Sequence, residues 1–248
     1  MLGNDKVYIG NLNIKLINVQ CLTQDKMVEI EDNLDIDSIY FLTETHKRDN
    51  SIRVSESTKC VHKTRKIHDK KGGGLMILWK TELDMVCREI LSEIPDILIS
   101  ENTIGNFTFY SILIYMSVTD FNHNQSISKE IIKFIDSLEE KNIVLLGDFN
   151  AHIELIGYQK LNKNGEILLN IMDKCNLVMM NLDHSKTTGE VTWERGIQKS
   201  TIDYVLVSFS LYDRVKSMII DDDHQILKIS DHNLICLNIE IKKGKKYK

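Results

Sequence analysis

LLGDFNAH (145–152) closes an apolar run that begins at Ile143 and meets its first charge at Asp148. The run Ile143–Gly147 is unbroken by polar residues, which reads as a strand buried on both faces. A strand of that kind sits between other layers, so the residues at its tip, Asp148 and Asn150, are held rigidly where the core ends. The same placement recurs on both sides of it. Asn18 and Gln20 lie at the end of KLINV (15–19), Glu44 follows IDSIYFLT (36–43), and Tyr115 ends Phe107–Tyr115. Asp203 lies in IDYVLVS (202–208), and Asp231 with His232 precedes LICLNIEI (234–241). One Asp or Asn after an apolar strand is ordinarily a turn former or a helix cap. The recurrence of such placements along one chain points to strand tips that converge on a site.

The remaining elements give the architecture. Gln24–Asn33 has helical spacing, with Met27 and Ile30 on one face. Ser128 is the expected N-cap of a helix over Lys129–Glu140, whose stripe is Ile131, Ile132, Ile135 and Leu138. A further helix covers Glu166–Lys174. GLMILW (74–79) reads as a strand entered through Gly72, Gly73 and Gly74, while Asp96–Ser100 and Phe107–Tyr115 read as an antiparallel pair turning at Gly105–Asn106. LVMMN (177–181) and EVTW (190–193) complete the strands. Helices interleaved with strands, several antiparallel pairs and no long linker fit two packed β-sheets with helices outside. The expected domain is 1–241. Residues 242–248 are read as a disordered basic tail or a linker to a further domain.

Composition narrows the classes. The chain has 248 residues, enough to bury a substantial core without staples. Its five cysteines are odd in number and form no C-x₂-C pair, which argues against a disulfide framework and a zinc site. No apolar run is long enough to span a bilayer, so no membrane partner is expected. MLGNDKVYIG lacks the basic start and apolar core of a signal peptide. The net charge of −5 is not that of a general polyanion binder. Two basic stretches nevertheless offer phosphate contacts: Lys59–Lys71, with six Lys/Arg and one acid, and Lys242–Lys248, with five lysines.

The motifs together resemble the endonuclease/exonuclease/phosphatase superfamily. LLGDFNAH matches its Gly-Asp-Phe-Asn signature, STIDYVLVS (200–208) its Ser-x-Ile-Asp-Tyr strand and ISDHNLI (229–235) its closing Ser-Asp-His motif. LINVQ (16–20) resembles the first-strand Asn and LTETH (42–46) the metal-binding Glu. The triple glycine 72–74, the TW pair at 192–193 and the IDYVLVS phrasing resemble the apurinic-type endonuclease domains of non-LTR retrotransposons. The resemblance implies an α/β (α+β) four-layer α/β/β/α sandwich of two packed mixed β-sheets flanked by helices. It implies a Mg²⁺-dependent phosphodiesterase, with Mn²⁺ as the alternative ion, that nicks DNA to leave a 3′-OH primer. A reverse transcriptase domain C-terminal to this segment, a nuclear location and a monomeric state belong to the same expectation.

The resemblance also assigns roles. Glu44 and Asp231, with Gln20, would hold the ion through hard oxygen ligands. Asp148 would orient or deprotonate the attacking water. Asn150 and Asn18 would hold phosphate oxygens as neutral donors. His232 would donate to the phosphate as imidazolium with Asp203 on its other N–H, and Tyr115 would bond the phosphate in the transition state. The sequence departs from the pattern at two places. Tyr115 leads into Met116, Ser117 and Val118 rather than a proline turn with an Asn three residues on, and Gln20 stands where many repair enzymes have Asp.

Other polar residues are read as structural. His46, His62, His68, His123 and His224 are expected at the surface, Trp193 in the core, and Asp221–Asp223 in a solvated loop. The triple glycine is followed by no Gly-Lys-Ser/Thr, so it is not a nucleotide cradle. Fold alone does not select DNA over other phosphodiesters. Abasic-site repair, deadenylation, phosphoinositide hydrolysis and an inert nucleic-acid-binding copy are the alternatives.

Overall fold

A computed structural model describes residues 10–47, 53–64, 73–139, 142–154 and 160–241. One mixed sheet contains β1 (Asn11–Asn18), β2 (Ser38–Thr43), β3 (Thr58–Lys63), β4 (Leu75–Lys80), β10 (Thr187–Thr188), β14 (Val215–Ile220) and β15 (Ile235–Glu240). Its strand order is β10-β14-β15-β1-β2-β4-β3. The second contains β5 (Met85–Ile90), β6 (Ile97–Ile104), β7 (Phe107–Tyr115), β8 (Ile143–Asp148), β9 (Leu177–Met179) and β13 (Asp203–Ser208), in the order β5-β6-β7-β8-β13-β9. A short hairpin, β11 (Trp193–Arg195) with β12 (Gln198–Ser200), stands apart from both. The helices are α1 (Gln24–Asp32), α2 (Phe121–Asp136), α3 (Lys163–Cys175) and the single turn α4 (Phe209–Tyr212).

Alternation along the strands makes the layers. Val144 and Leu146 of β8 face a central core completed by side chains of the other sheet, among them Ile14, Leu16, Phe41 and Ile77. Ile143 and Leu145 point the opposite way, into a core shared with Ile127 and Ile131 of α2 and Leu168 and Ile171 of α3. On the far side, Tyr40, Leu42, Met76 and Leu78 pack against Met27 and Ile30 of α1. The result is the expected four-layer α/β/β/α sandwich. Both sheets are mixed, since β1–β2 and β7–β8 are parallel and their other flanking pairs antiparallel. Gly147 permits a close approach in the second sheet: a Cβ there would collide with the Ile114 carbonyl.

Several boundaries differ from the expectation. The second helix begins at Phe121, and its N-cap is Asp120, which accepts from the His123 N–H at 3.2 Å; Ser128 lies inside it on the buried face. LVMMN is strand only to Met179, after which Met180–Leu182 form a 3₁₀ turn. EVTW contributes only Trp193 to a strand. Strands β3, β5 and β14 go beyond the sequence reading, and part of the basic stretch lies in β3. There Lys63 donates to the carbonyls of Ser92 at 2.7 Å and Ile97 at 2.8 Å. The rest of that stretch from 65 on, including His68, lies outside the described residues, as do Gly72 and the tail 242–248.

Candidate active site

The strand pairing brings the tips together. Asp148 at the end of β8 is opposite Tyr115 on one side and Asp203 on the other. Asp148 is buried, and both its oxygens accept hydrogen bonds. Asn18, fully buried at the tip of β1, donates its amide to Oδ2 at 2.9 Å, and the backbone N–H of Asn150 donates to Oδ1 at 2.9 Å. Asn18 thus sits beneath Asp148 as its support. Its own Oδ1 accepts from the Gln20 N–H at 2.9 Å.

Asp203 and His232 form a buried pair, with His232 Nδ1 to Asp203 Oδ2 at 2.8 Å. The backbone N–H of Asp203 donates to Thr192 Oγ1 at 3.0 Å, and Asn181 Nδ2 donates to the Asp203 carbonyl at 3.2 Å. The loop before β15 is tied down by Ser230, whose hydroxyl donates to the Asn18 carbonyl at 2.6 Å and accepts from the His232 N–H at 3.1 Å. His232 Nε2 lies 3.9 Å from Asp231 Oδ1.

Electrostatics follow from this crowding. Burial raises the Asp148 carboxyl, and the charges of Asp203 and Glu44 add to it against the pull of His232, pushing it up to about 8. Burial works against a charged His232, but Asp203, Asp148 and Asp231 outweigh it and push the imidazolium up to about 9. Two carboxylate oxygens, Asp203 Oδ1 and Asp231 Oδ1, are buried without a hydrogen-bond partner. An orphaned buried carboxylate oxygen is costly, and a cation satisfies it. The donor set therefore fits a divalent ion. By spacing, Asp148, Asp203 and His232 offer ligand atoms within 4.8 Å of one another. Nδ1 of His232 and Oδ2 of Asp203 are spent on each other, however, so the hard oxygens left over favour the acidic residues.

The residues singled out in the sequence are not all equally placed. Glu44 stands past the tip of β2 in the left-handed region at φ 52°, partly covered, with His46 Nε2 at 3.1 Å from Oε2. Gln20 is exposed at φ 41°; its backbone N–H donates to Asn18, and among the described residues its side chain makes no bond to the carboxylates. Tyr115 is half-buried beside Asp148. Asn150 adopts φ 46° and donates Nδ2 to the Met116 carbonyl at 2.9 Å.

Residues 109–236, more than half of the chain, match the family described as Endonuclease-reverse transcriptase. The chain belongs to the Endonuclease-reverse transcriptase family. Solved structures agree with the fold of this family member. The endonuclease domain of TRAS1, a telomere-specific non-LTR retrotransposon, superposes with a TM-score of 0.73 at 15% identity, covering 94% of this chain and 100% of that one. The AP endonuclease LMAP of Leishmania major gives 0.72 at 13% identity over 94% and 88% of the two chains. The 3′-5′ exonuclease NExo of Neisseria meningitidis gives 0.70 at 18% identity over 93% and 100%. At such identities the likeness establishes the endonuclease/exonuclease/phosphatase hydrolase fold. No curated protein matches by sequence.

For this family member, sequence reasoning passes over the supports. Thr192 reads only as part of a strand and of the TW pair, with no role assigned, and Asn181 as the end of a strand. Both clamp the Asp203 backbone, and the hydroxyl or amide beside an apolar run is the only signal. Trp193 is half-buried and bridges His232 rather than lying in the core. His62 and His123, expected at the surface, are half-buried against Thr45 and Asp96. Asp221 is not solvated: it is buried and accepts from the N–H groups of Gln225, Ile226 and Leu227. Among the described residues no helix is long and apolar enough to cross a membrane.

Proposed function

We propose that this chain is a Mg²⁺-dependent endonuclease that nicks DNA, with Mn²⁺ able to replace Mg²⁺. The carrying observation is the buried Asp203–His232 pair set beside Asp148, with unpaired carboxylate oxygens on Asp203 and Asp231. Glu44 and Asp231 would hold the ion. When bound, the ion supplies positive charge that offsets the scissile phosphate and the departing 3′ oxygen.

The protein's own residues do the remainder. Asp148, fixed by Asn18 and the Asn150 N–H, orients a water for in-line attack and takes its proton; a carboxyl raised toward neutrality is suited to holding one. His232, kept protonated by Asp203, donates from Nε2 to a phosphate oxygen as negative charge builds there. Tyr115 and Asn150, at the ends of the neighbouring strands, offer neutral donors to the same phosphate. On this reading the basic residues near β3 and the C-terminal lysines contact the DNA backbone. The monomeric domain acts in the nucleus, and the 3′-OH it leaves primes a reverse transcriptase encoded C-terminal to it.

The test is nicking of supercoiled plasmid. Wild type converts it to open circle with Mg²⁺ and not with EDTA. Asp148→Ala and His232→Ala each lose about 10²–10³ in rate, as removal of one preorganised group does. Equal rates for wild type and Asp148→Ala would overturn the reading. Abasic oligonucleotide, poly(A) and a phosphoinositide run in parallel identify the substrate, and faster turnover of any of these than of plasmid would move the assignment to it.

A further inference from the structure

The interface between α2 and the start of α3 is built from Ile127, Ile131, Leu168 and Ile171, yet it also encloses two primary amides. Asn124 is 0% exposed and Asn164 is 1% exposed. A buried amide costs free energy unless its groups are paired, so the partners show what these residues are for. Asn124 accepts from the Ser117 N–H at 2.9 Å and donates to the Ser117 carbonyl at 2.7 Å and to Asn164 Oδ1 at 2.8 Å. Asn164 Nδ2 in turn faces three carbonyls: Phe149 at 3.0 Å, Ser117 at 3.1 Å and Asn150 at 3.2 Å. Asn162, the N-cap of α3, donates to the same Asn150 carbonyl at 3.0 Å, while its Oδ1 accepts from the N–H groups of His152 at 3.0 Å and Gly165 at 2.7 Å. A Cβ at Gly165 would strike the His152 carbonyl, so the helix start and the strap 149–152 are in contact through backbone.

These bonds end on two loops, the one that follows Tyr115 at the end of β7 and the one that carries Asn150. Ser117 follows Tyr115 closely, and Asn150 itself reaches across to the Met116 carbonyl. The only proline of the chain is Pro95, so no proline ring stiffens the turn after Tyr115. Asn150 holds a left-handed backbone that a non-glycine residue adopts at a cost. We propose that Asn164 and Asn162 are positioning residues: both hold the Asn150 carbonyl, and Asn164, bonded also to the Ser117 carbonyl, ties the Asn150 loop to the loop after Tyr115. Neither touches the substrate. The proposal rests on the phosphodiesterase reading of the site.

The experiment uses the full chain and single-turnover plasmid nicking. Asn164→Leu keeps the branching with more bulk, and removes both the donors and the acceptor for Asn124. Asn162→Asp keeps the helix cap and the acceptor for His152 and Gly165, and replaces the donor to Asn150 with a carboxylate oxygen that repels its carbonyl; it stands in should Asn164→Leu not fold. Each is measured below its melting temperature. The expected result is a 10- to 100-fold fall in the chemical rate, on the order seen when a catalytic group is misplaced by about an ångström, with KM changed less than about twofold. In an Asn150→Ala background the same substitutions should cost less than in wild type, because the part of their effect that runs through the Asn150 side chain is already lost while its carbonyl and the loop after Tyr115 remain. An unchanged rate in both variants would overturn the proposal. So would a loss that multiplies undiminished with Asn150→Ala, since that is the behaviour of a general structural defect. If wild type nicks no DNA, it is the phosphodiesterase reading that fails. The positioning claim is then decided by the Asn150 side-chain amide in ¹⁵N NMR: it should shift and exchange faster in both variants, and an unaltered signal refutes it.

Discussion

His232 illustrates how one contact sets a chemical role. Free imidazole loses its proton near pH 6.5, and burial alone would lower that further. The bond to Asp203 at 2.8 Å, with Asp148 and Asp231 nearby, reverses the sign and raises it to about 9. If the imidazolium is the active form, nicking should decline as pH passes about 9, above a rising limb set by Asp148, which must be ionised to take the water's proton. Asp203→Asn removes the dominant charge and keeps the side-chain shape. The falling limb of the pH–rate profile should then move down by on the order of one unit or more. A limb that stays in place in Asp203→Asn would show that another group sets it. Asp203, Asp148 and Asp231 are legible in the sequence as strand-tip acids because an acid beside an apolar run stands out. Thr192, Asn181 and Asn164 are not, because what they bind is backbone, and only the folded chain brings that backbone to them.

Central strands are the readable elements and edge strands are not. Strand β8 is buried along its length, as are β2 and β13, and each appears in the sequence as a predominantly apolar run. Strands β3 and β5 lie at the sheet edges, where one face meets solvent, and their TKCVHK and MVCREI carry charges that look like loop. The aliphatic stripe locates helix α2 but starts it late. Its buried face near the N-terminus includes Asn124 and Ser128, so the first buried aliphatic residue is Ile127. The cap assignment is open to a direct check. Asp120→Ala should cost about 1 kcal/mol, the usual effect of losing an N-cap acceptor, and Ser128→Ala should cost less, since it caps nothing. Urea melts of the two variants decide it, and a larger loss for Ser128→Ala would contradict the observed helix start.

The molecule as a whole gathers Glu44, Asp148, Asp203 and Asp231 from distant parts of the chain around one positive side chain. Without a cation that arrangement has a defined pH cost. The Asp148 carboxyl is raised from an unfolded value of about 4 to about 8, so the folded state binds the extra proton between those limits. Stability from this group is therefore lost as pH rises through that window. His232, raised from 6.5 to about 9, contributes stability that is full below pH 6.5 and disappears as pH passes 9. Both slopes have the same sign, so in EDTA the melting temperature should fall steadily from about pH 5 to about pH 9. A divalent ion held by Glu44 and Asp231 would set positive charge beside Asp148 and favour its carboxylate over the protonated form, so its benefit should grow with pH. At an ion concentration of about 100 times Kd the gain is about 2.7 kcal/mol. At about 2–4 °C per kcal/mol for a chain of this size, this corresponds to roughly 5–10 °C at about pH 8. The increment at about pH 5 should be clearly smaller, because protons there already quench the repulsion. Scanning calorimetry with Mg²⁺ and with EDTA at the two pH values measures it. An increment that is the same at both would mean that the ion binds too far from Asp148 to act on its charge.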